Sequence, residues 1–176
     1  MLKKVYSYIF ILFILMCFAG CSGSGGEYLT PKEIATQQNN DIIAALSNND
    51  KAAFKEFLCP ALREEHSNLD SEIDGLFDFV DGDIISYDED YPAARGGFID
   101  DLEGWVKEEI TTRILDIKTS NGESYEINYS FYTKYKDHPE KLGITFFRIR
   151  TSDAEYDLET GFPPDAIYTI EYKDRW

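Results

Sequence analysis

Apolar residues divide the chain into three stretches. From Val5 to Phe18 the chain is almost continuously apolar, broken only by Tyr6, Ser7 and Tyr8, and it follows Lys3 and Lys4. From Thr30 to Gly82 apolar residues recur at helical spacing, and beyond Gly82 β-branched and aromatic residues take over in alternation. Thr30-Pro31-Lys32-Glu33 joins a capping box, Thr with Glu three positions on, to a proline suited to the first turn. It predicts a helix to about Leu46, with Ile34, Gln38, Ile42, Ala45 and Leu46 along one face and Ile43 at its margin. Ser47-Asn48-Asn49-Asp50 breaks that helix and caps a second one, which carries Phe54, Phe57 and Leu58 and ends or bends at Pro60. A third helix opens at Asn68-Leu69-Asp70-Ser71-Glu72, carries Ile73, Leu76, Phe77 and Val80 on one face, and stops at Gly82.

The second half reads as strands. Asp83 to Tyr87 begins it, and Glu108 to Lys118 alternates Ile110, Thr112, Ile114 and Asp116 against Thr111, Arg113, Leu115 and Ile117, so neither face is fully polar. Asn121-Gly122 is a hairpin signal, which makes Tyr125 to Tyr135 the return strand. Leu142 to Thr151, with Ile144, Phe146, Arg148 and Arg150 in alternation, and Ile167 to Tyr172 complete the set. Helices followed by an antiparallel meander predict an α+β fold, with the N-terminal helices packed on one face of a curved sheet.

The first apolar stretch is shorter than the ~20 residues of a spanning helix. It sits between a positive start and Ala19-Gly20-Cys21, the plan of a signal peptide that is removed. Phe18-Ala19-Gly20-Cys21 resembles the bacterial lipobox, with Phe where that motif prefers Leu. The resemblance implies cleavage before Cys21, acylation of its sulfur by palmitate-like chains, and a lipid anchor on the outer face of the cell membrane. Two or three acyl chains hold durably, at ~0.8 kcal/mol for each buried methylene. Residues 1–20 are then the signal, residues 21–29 a flexible tether containing Ser22-Gly23-Ser24-Gly25-Gly26, and residues 30–176 one α+β domain.

Charge narrows the choice of partners. The chain carries 33 acids against 17 Lys+Arg, a net −16, and loss of Lys3 and Lys4 with the signal takes it to −18. Nucleic acid and anionic lipid surfaces repel such a chain, which leaves cationic partners or a general need for solubility open; a small ligand or a surface protein is the expected partner beside the membrane that the lipid reaches. With Cys21 lipidated, Cys59 is the one cysteine of the domain, so stability rests on packing rather than on a disulfide. Its apolar setting, Phe57-Leu58-Cys59-Pro60, suits a buried structural thiol.

The helix-to-strand junction Leu69-Asp70-Ser71-Glu72-Ile73 and Phe77 to Tyr87, with the long hairpin and Leu142-Gly143-Ile144 after it, is similar to a group of Gram-positive lipoproteins filed as domain of unknown function 5104. The likeness runs from about Gln37 to Thr151 and does not reach the tail from Asp153 to Trp176. It implies a cone-shaped fold like that of nuclear transport factor 2, in which a curved sheet wraps helices around a central cavity. Folds of this kind often pair through the sheet, which keeps a homodimer open.

No phosphate-binding loop, dinucleotide fingerprint or nucleophile elbow occurs, and no cofactor is called for. Asp81, Asp83, Asp88, Glu89 and Asp90 crowd one segment, yet they lack the order of an EF-hand and read as a solvated rim. His66 and His138 have no ligand partner at a recognised spacing and read as exposed loop residues, so no metal is expected. The candidate lining of a cone cavity is Phe77, Asp78, Trp105, Tyr129, Phe131 and Phe146, with Phe79 and Tyr132 nearby in sequence. Non-enzymatic binding of a ligand or protein is the leading reading, and it divides in two: a ligand pocket calls for a closed apolar cavity with a few polar groups, whereas a protein-docking surface calls for a filled core and a contiguous exposed aromatic patch. The alternative is an enzyme that moves a proton with a buried carboxylate or Tyr.

Overall fold

The computed structural model describes residues 29–88, 93–100, 102, 104–155 and 164–172. The expected signal peptide and the acylated Cys21 therefore lie outside the described residues, as do Glu89 and Asp90. The described chain is α+β: helices α1 (Pro31–Ser47), α2 (Lys51–Phe57), α3 (Pro60–Glu65) and α4 (Leu69–Phe79) precede all the strands. The strands are β1 (Ile84–Asp88), β2 (Ala94–Asp100), β3 (Gly104–Thr119), β4 (Ser124–Tyr135), β5 (Gly143–Thr151) and β6 (Ile167–Glu171).

Local chemistry sets the helix boundaries. Thr30 Oγ1 accepts from Glu33 N at 3.2 Å while Thr30 N donates to Glu33 Oε2 at 2.7 Å, closing the expected capping box. Asp50 caps α2 by accepting from Ala53 N at 2.9 Å. Pro60 does more than end a helix: it occupies the first turn of α3, where its missing N–H costs nothing, so four helices stand where three were expected.

The six strands form one antiparallel sheet, curved and not closed, in the order β1-β3-β4-β5-β6, with β2 also paired to β3. β1 meets β3 from Leu115 to Thr119 and β2 meets it from Gly104 to Thr111, so two short strands share one edge of the longest strand. The helices cover a single face, and the core lies between. Ile42, Phe54, Leu62 and Leu76 from the helices, with Leu58 from the link after α2, meet Ile110, Ile114, Ile117, Ile127, Tyr129, Phe147 and Ile149 from the sheet, all fully or almost fully buried.

Strict alternation along β3 would put Ile114 and Ile117 on opposite faces, yet both are buried. Ile114 pairs with Ile127 and Ile117 with Tyr125, so β3 spends three residues where β4 spends two. The extra residue is a β-bulge, and Asp116 takes it in the left-handed region at φ 49°. The mixed faces read from the sequence are thus two regular half-strands joined by a shift of parity.

The described part of the tail, residues 164–172, belongs to the fold. β6 pairs with β5, and Ile170 and Tyr172 are buried. Tyr168 packs over Gly75 of α4, where a Cβ would stand 2.7 Å from the phenol oxygen. A second close approach occurs at Gly143, φ 109°, where a Cβ would lie 2.9 Å from the Phe57 carbonyl; the gap lets Cys59 N donate to the Ile144 carbonyl at 2.9 Å. Cys59 is buried as expected, and burial raises the pKa of its thiol.

The bulge yields the first prediction. Replacing Asp116 by Val forces a β-branched residue into the left-handed region and should lower stability by ~1–2 kcal/mol, whereas Asp116→Gly should stay within ~0.5 kcal/mol of the parent. Urea denaturation of the two variants checks the difference.

Candidate functional site

The expected cavity residues separate on the two faces of the sheet and on the surface of α4. Phe77, Tyr129 and Phe131 are buried in the core. Asp78 is exposed, because it follows Phe77 by one residue and so turns to the opposite side of α4. Phe146 lies on the outer face: it pairs with Ser130, and its ring is covered by the Arg148 guanidinium at 5.0 Å. The ring that faces the core is Phe147, paired with Tyr129, because a register irregularity between Ser130 and Phe131 uses an extra residue of β5 and reverses the expected parity. Trp105 sits in β3 opposite Ile99, and its side chain lies outside the described residues.

Rings occupy the described interior. Phe54 meets Phe147 at 5.0 Å and Phe77 at 5.7 Å, both edge to face, and Tyr129 stacks on Phe131 at 5.7 Å. The polar tip of Tyr129 is satisfied, its hydroxyl donating to Asn39 Oδ1 at 2.7 Å. Asn39 is 2% exposed on α1, in a buried stripe of Ala35, Asn39, Ile42 and Ile43 that runs beside the predicted Ile34–Gln38 face. The signal was present at i+4 from Ala35 and i−3 from Ile42, but a polar residue at that position reads as solvent-facing unless its partner 90 residues away is known. Burial pushes the Tyr129 phenol far above its ordinary pKa of 10.0, with the Asp41 charge adding to the effect. Tyr129 is therefore held neutral by burial, and its proton is given to the Asn39 amide oxygen in a hydrogen bond.

Two residues of the acidic crowd after α4, Asp81 and Asp83, bond to the hairpin. Asp81 Oδ1 accepts from Asn121 Nδ2 at 2.9 Å, Asp81 N donates to the Tyr125 hydroxyl at 3.0 Å, and Asp83 N donates to Ser120 Oγ at 3.0 Å. Among the described residues no group of three His, Cys, Asp or Glu side chains is arranged to hold a metal ion.

A cleft of about 650 Å³ opens where the end of α3 and the start of α4 approach β6, lined by Leu62, Glu65, His66, Asn68, Glu72, Glu171 and Tyr172 among others. His66 is less exposed than expected, with a side chain 22% accessible and Nδ1 at 3.6 Å from Glu72 Oε2. Three carboxylates against one imidazole, above the apolar bodies of Leu62 and Tyr172, suit a cationic or hydrogen-bond-donating group rather than an anion.

Tyr129→Phe removes the donor and leaves Asn39 Oδ1 buried without a partner, which should cost ~1–3 kcal/mol. The same residue gives a pH signature. Its contribution is fully present below pH 10, the ordinary value, and is lost as pH rises, since the unfolded phenol releases its proton while the folded one keeps it. Stability of the parent should therefore fall by up to ~1.4 kcal/mol per pH unit more steeply than that of Tyr129→Phe at strongly alkaline pH. Denaturant titrations across that range compare the two slopes.

Among known proteins, the family model described as Domain of unknown function (DUF5104) matches residues 41–156, from within α1 to just beyond β5. No curated protein matches the chain. The match takes in the helix-to-strand junction, the long hairpin and β5, leaving β6 as an addition on the C-terminal side, and with that coverage the chain belongs to the DUF5104 family.

Proposed function

We propose that the protein is a lipid-anchored extracytoplasmic binding module that meets its ligand or protein partner on its surface. The observation that carries this reading is the filled interior: Phe54, Tyr129 and Phe147 are 0% exposed and pack ring against ring, while the open cleft beside β6 is lined by ionisable groups. A cone of the nuclear transport factor 2 kind is supported by the element order and by a curved, unclosed sheet with helices on one face. In this chain the cone is occupied by its own side chains, which favours surface binding over an internal ligand.

The anchor rests on Lys3-Lys4, the apolar run and Ala19-Gly20-Cys21. The first described helix begins at Pro31, ten residues after Cys21, so an extended tether reaches at most ~35 Å from the bilayer. An acidic domain on a short tether stands off an anionic membrane while staying close to whatever else that surface displays.

Two experiments test the reading. Cys21→Ser should abolish incorporation of radiolabelled palmitate and move the protein out of the membrane fraction; a variant that stays membrane-bound contradicts the lipid anchor. The full chain in neutral detergent, screened by thermal denaturation against amines, peptides and metabolites, should gain ~2.7 kcal/mol from a cleft ligand at ~100 times its dissociation constant. Glu72→Gln with Glu171→Gln should remove that gain, and a gain that survives the double substitution contradicts the cleft.

A further inference from the structure

Three arginines of a strongly acidic chain gather at one spot on the outer face of the sheet, away from the helices. Arg113 of β3, Asn128 of β4 and Arg148 of β5 are direct cross-strand partners, so they form one row on one face. Glu126 and Arg150 form the adjacent row, paired at 2.5 Å, and Arg150 Nη1 also donates to the Ala154 carbonyl at 3.1 Å. The five polar side chains surround a hollow of about 200 Å³ whose floor includes Ile127. Three guanidinium groups face one carboxylate there, and that carboxylate is engaged by Arg150.

Two atoms in the hollow are buried without a hydrogen-bond partner among the described residues: Nε of Arg148 and Oδ1 of Asn128. A buried donor left without an acceptor is costly, and a site that binds an anion supplies the acceptor. The Arg148 guanidinium is held in place by the Phe146 ring beneath it, so its planar fork is preorganised. The Asn128 amide, whose oxygen and nitrogen exchange by a half-turn, can present its NH2 to the same occupant.

We propose that this hollow binds a small anion, a carboxylate or a phosphate, gripped by Arg148 with Arg113 across Asn128. The volume lies below the ~300 Å³ at which drug-sized pockets begin, which fits a compact anion and not a large cofactor. Guanidinium forks match both oxyanion classes through paired N–H···O bonds. The site faces away from the helices and is chemically opposite to the acidic cleft beside β6, so the two surfaces call for different occupants. The proposal deepens the surface-binding reading and rests on it.

The test is calorimetric titration of the full chain in neutral detergent with inorganic phosphate and, separately, with citrate. Saturable binding of either supports the site, and the arm that responds names the source of the oxyanion. Arg148→Gln should weaken that binding by about tenfold or more, with Arg148→Lys falling between because it keeps the charge and loses the fork. Lys134→Gln removes the same charge from an exposed position elsewhere on β4 and should bind like the parent. In the absence of anion, the melting temperature of Arg148→Gln should equal or exceed that of the parent, which shows the variant is folded. Binding of neither anion at ~10 mM overturns the proposal. So does equal weakening in Arg148→Gln and Lys134→Gln, which would mark a diffuse charge effect. Either failure leaves the acidic cleft, tested with its own ligands and its own variants, unaffected.

Discussion

Burial of the Tyr125–Phe131 face of β4 beneath α1, α2 and α4 is the interaction on which the remaining features depend. The domain has one cysteine, buried and free, so no covalent cross-link compensates for lost packing. Each large side chain removed from water contributes ~1.5–3 kcal/mol, and β4 alone supplies Tyr125, Ile127, Tyr129 and Phe131. For neighbouring strands to add to that face, their side-chain parity must match it along the whole length. Where β3 and β5 would drift out of phase, each inserts one residue: β3 at Asp116, and β5 between the partners of Ser130 and Phe131. Those insertions also raise local twist and contribute to the curvature that lets one sheet cover several helices.

A buried side-chain hydrogen bond crosses the apolar layer. The bond between the Tyr129 hydroxyl and Asn39 ties the middle of α1 to the middle of the sheet and penalises any rotation of the helix that would leave either group buried alone. This geometry also bears on chemistry. The buried phenol is kept neutral and pointed at an amide, and Asp78 is turned to solvent, so the described Tyr129 and Asp78 do not form a proton-transfer pair with each other.

Much of the architecture was legible because local and global signals agree. The capping box at Thr30, the stripe Ile73-Leu76-Phe77 and the Asn-Gly turn each lie where a fold of helices followed by a meander needs them. What escaped was long-range. Asn39 reads as exposed until Tyr129 is placed beside it, and Phe146 reads as core until the insertion in β5 is known, since one extra residue exchanges it with Phe147. The arginine row escaped for the same reason: Arg113, Asn128 and Arg148 are unremarkable apart and become neighbours only through strand register. Family membership adds architecture without activity, because the matching family is itself defined by an unknown function.

The picture that results is a packed acidic domain with two contrasting surfaces, an acidic cleft beside β6 and a basic hollow on the outer sheet face, and we propose that a lipid at Cys21 holds it near a membrane. Its central claim joins an occupied interior to a lipid at Cys21. Native mass spectrometry of the full chain, made in a bacterium and extracted gently from its membrane, tests both halves at once. The account predicts the mass of residues 21–176 plus covalent acyl chains, with no apolar molecule retained inside the folded domain. An uncleaved and unacylated chain, or a folded domain that carries a non-covalent apolar ligand, would contradict it.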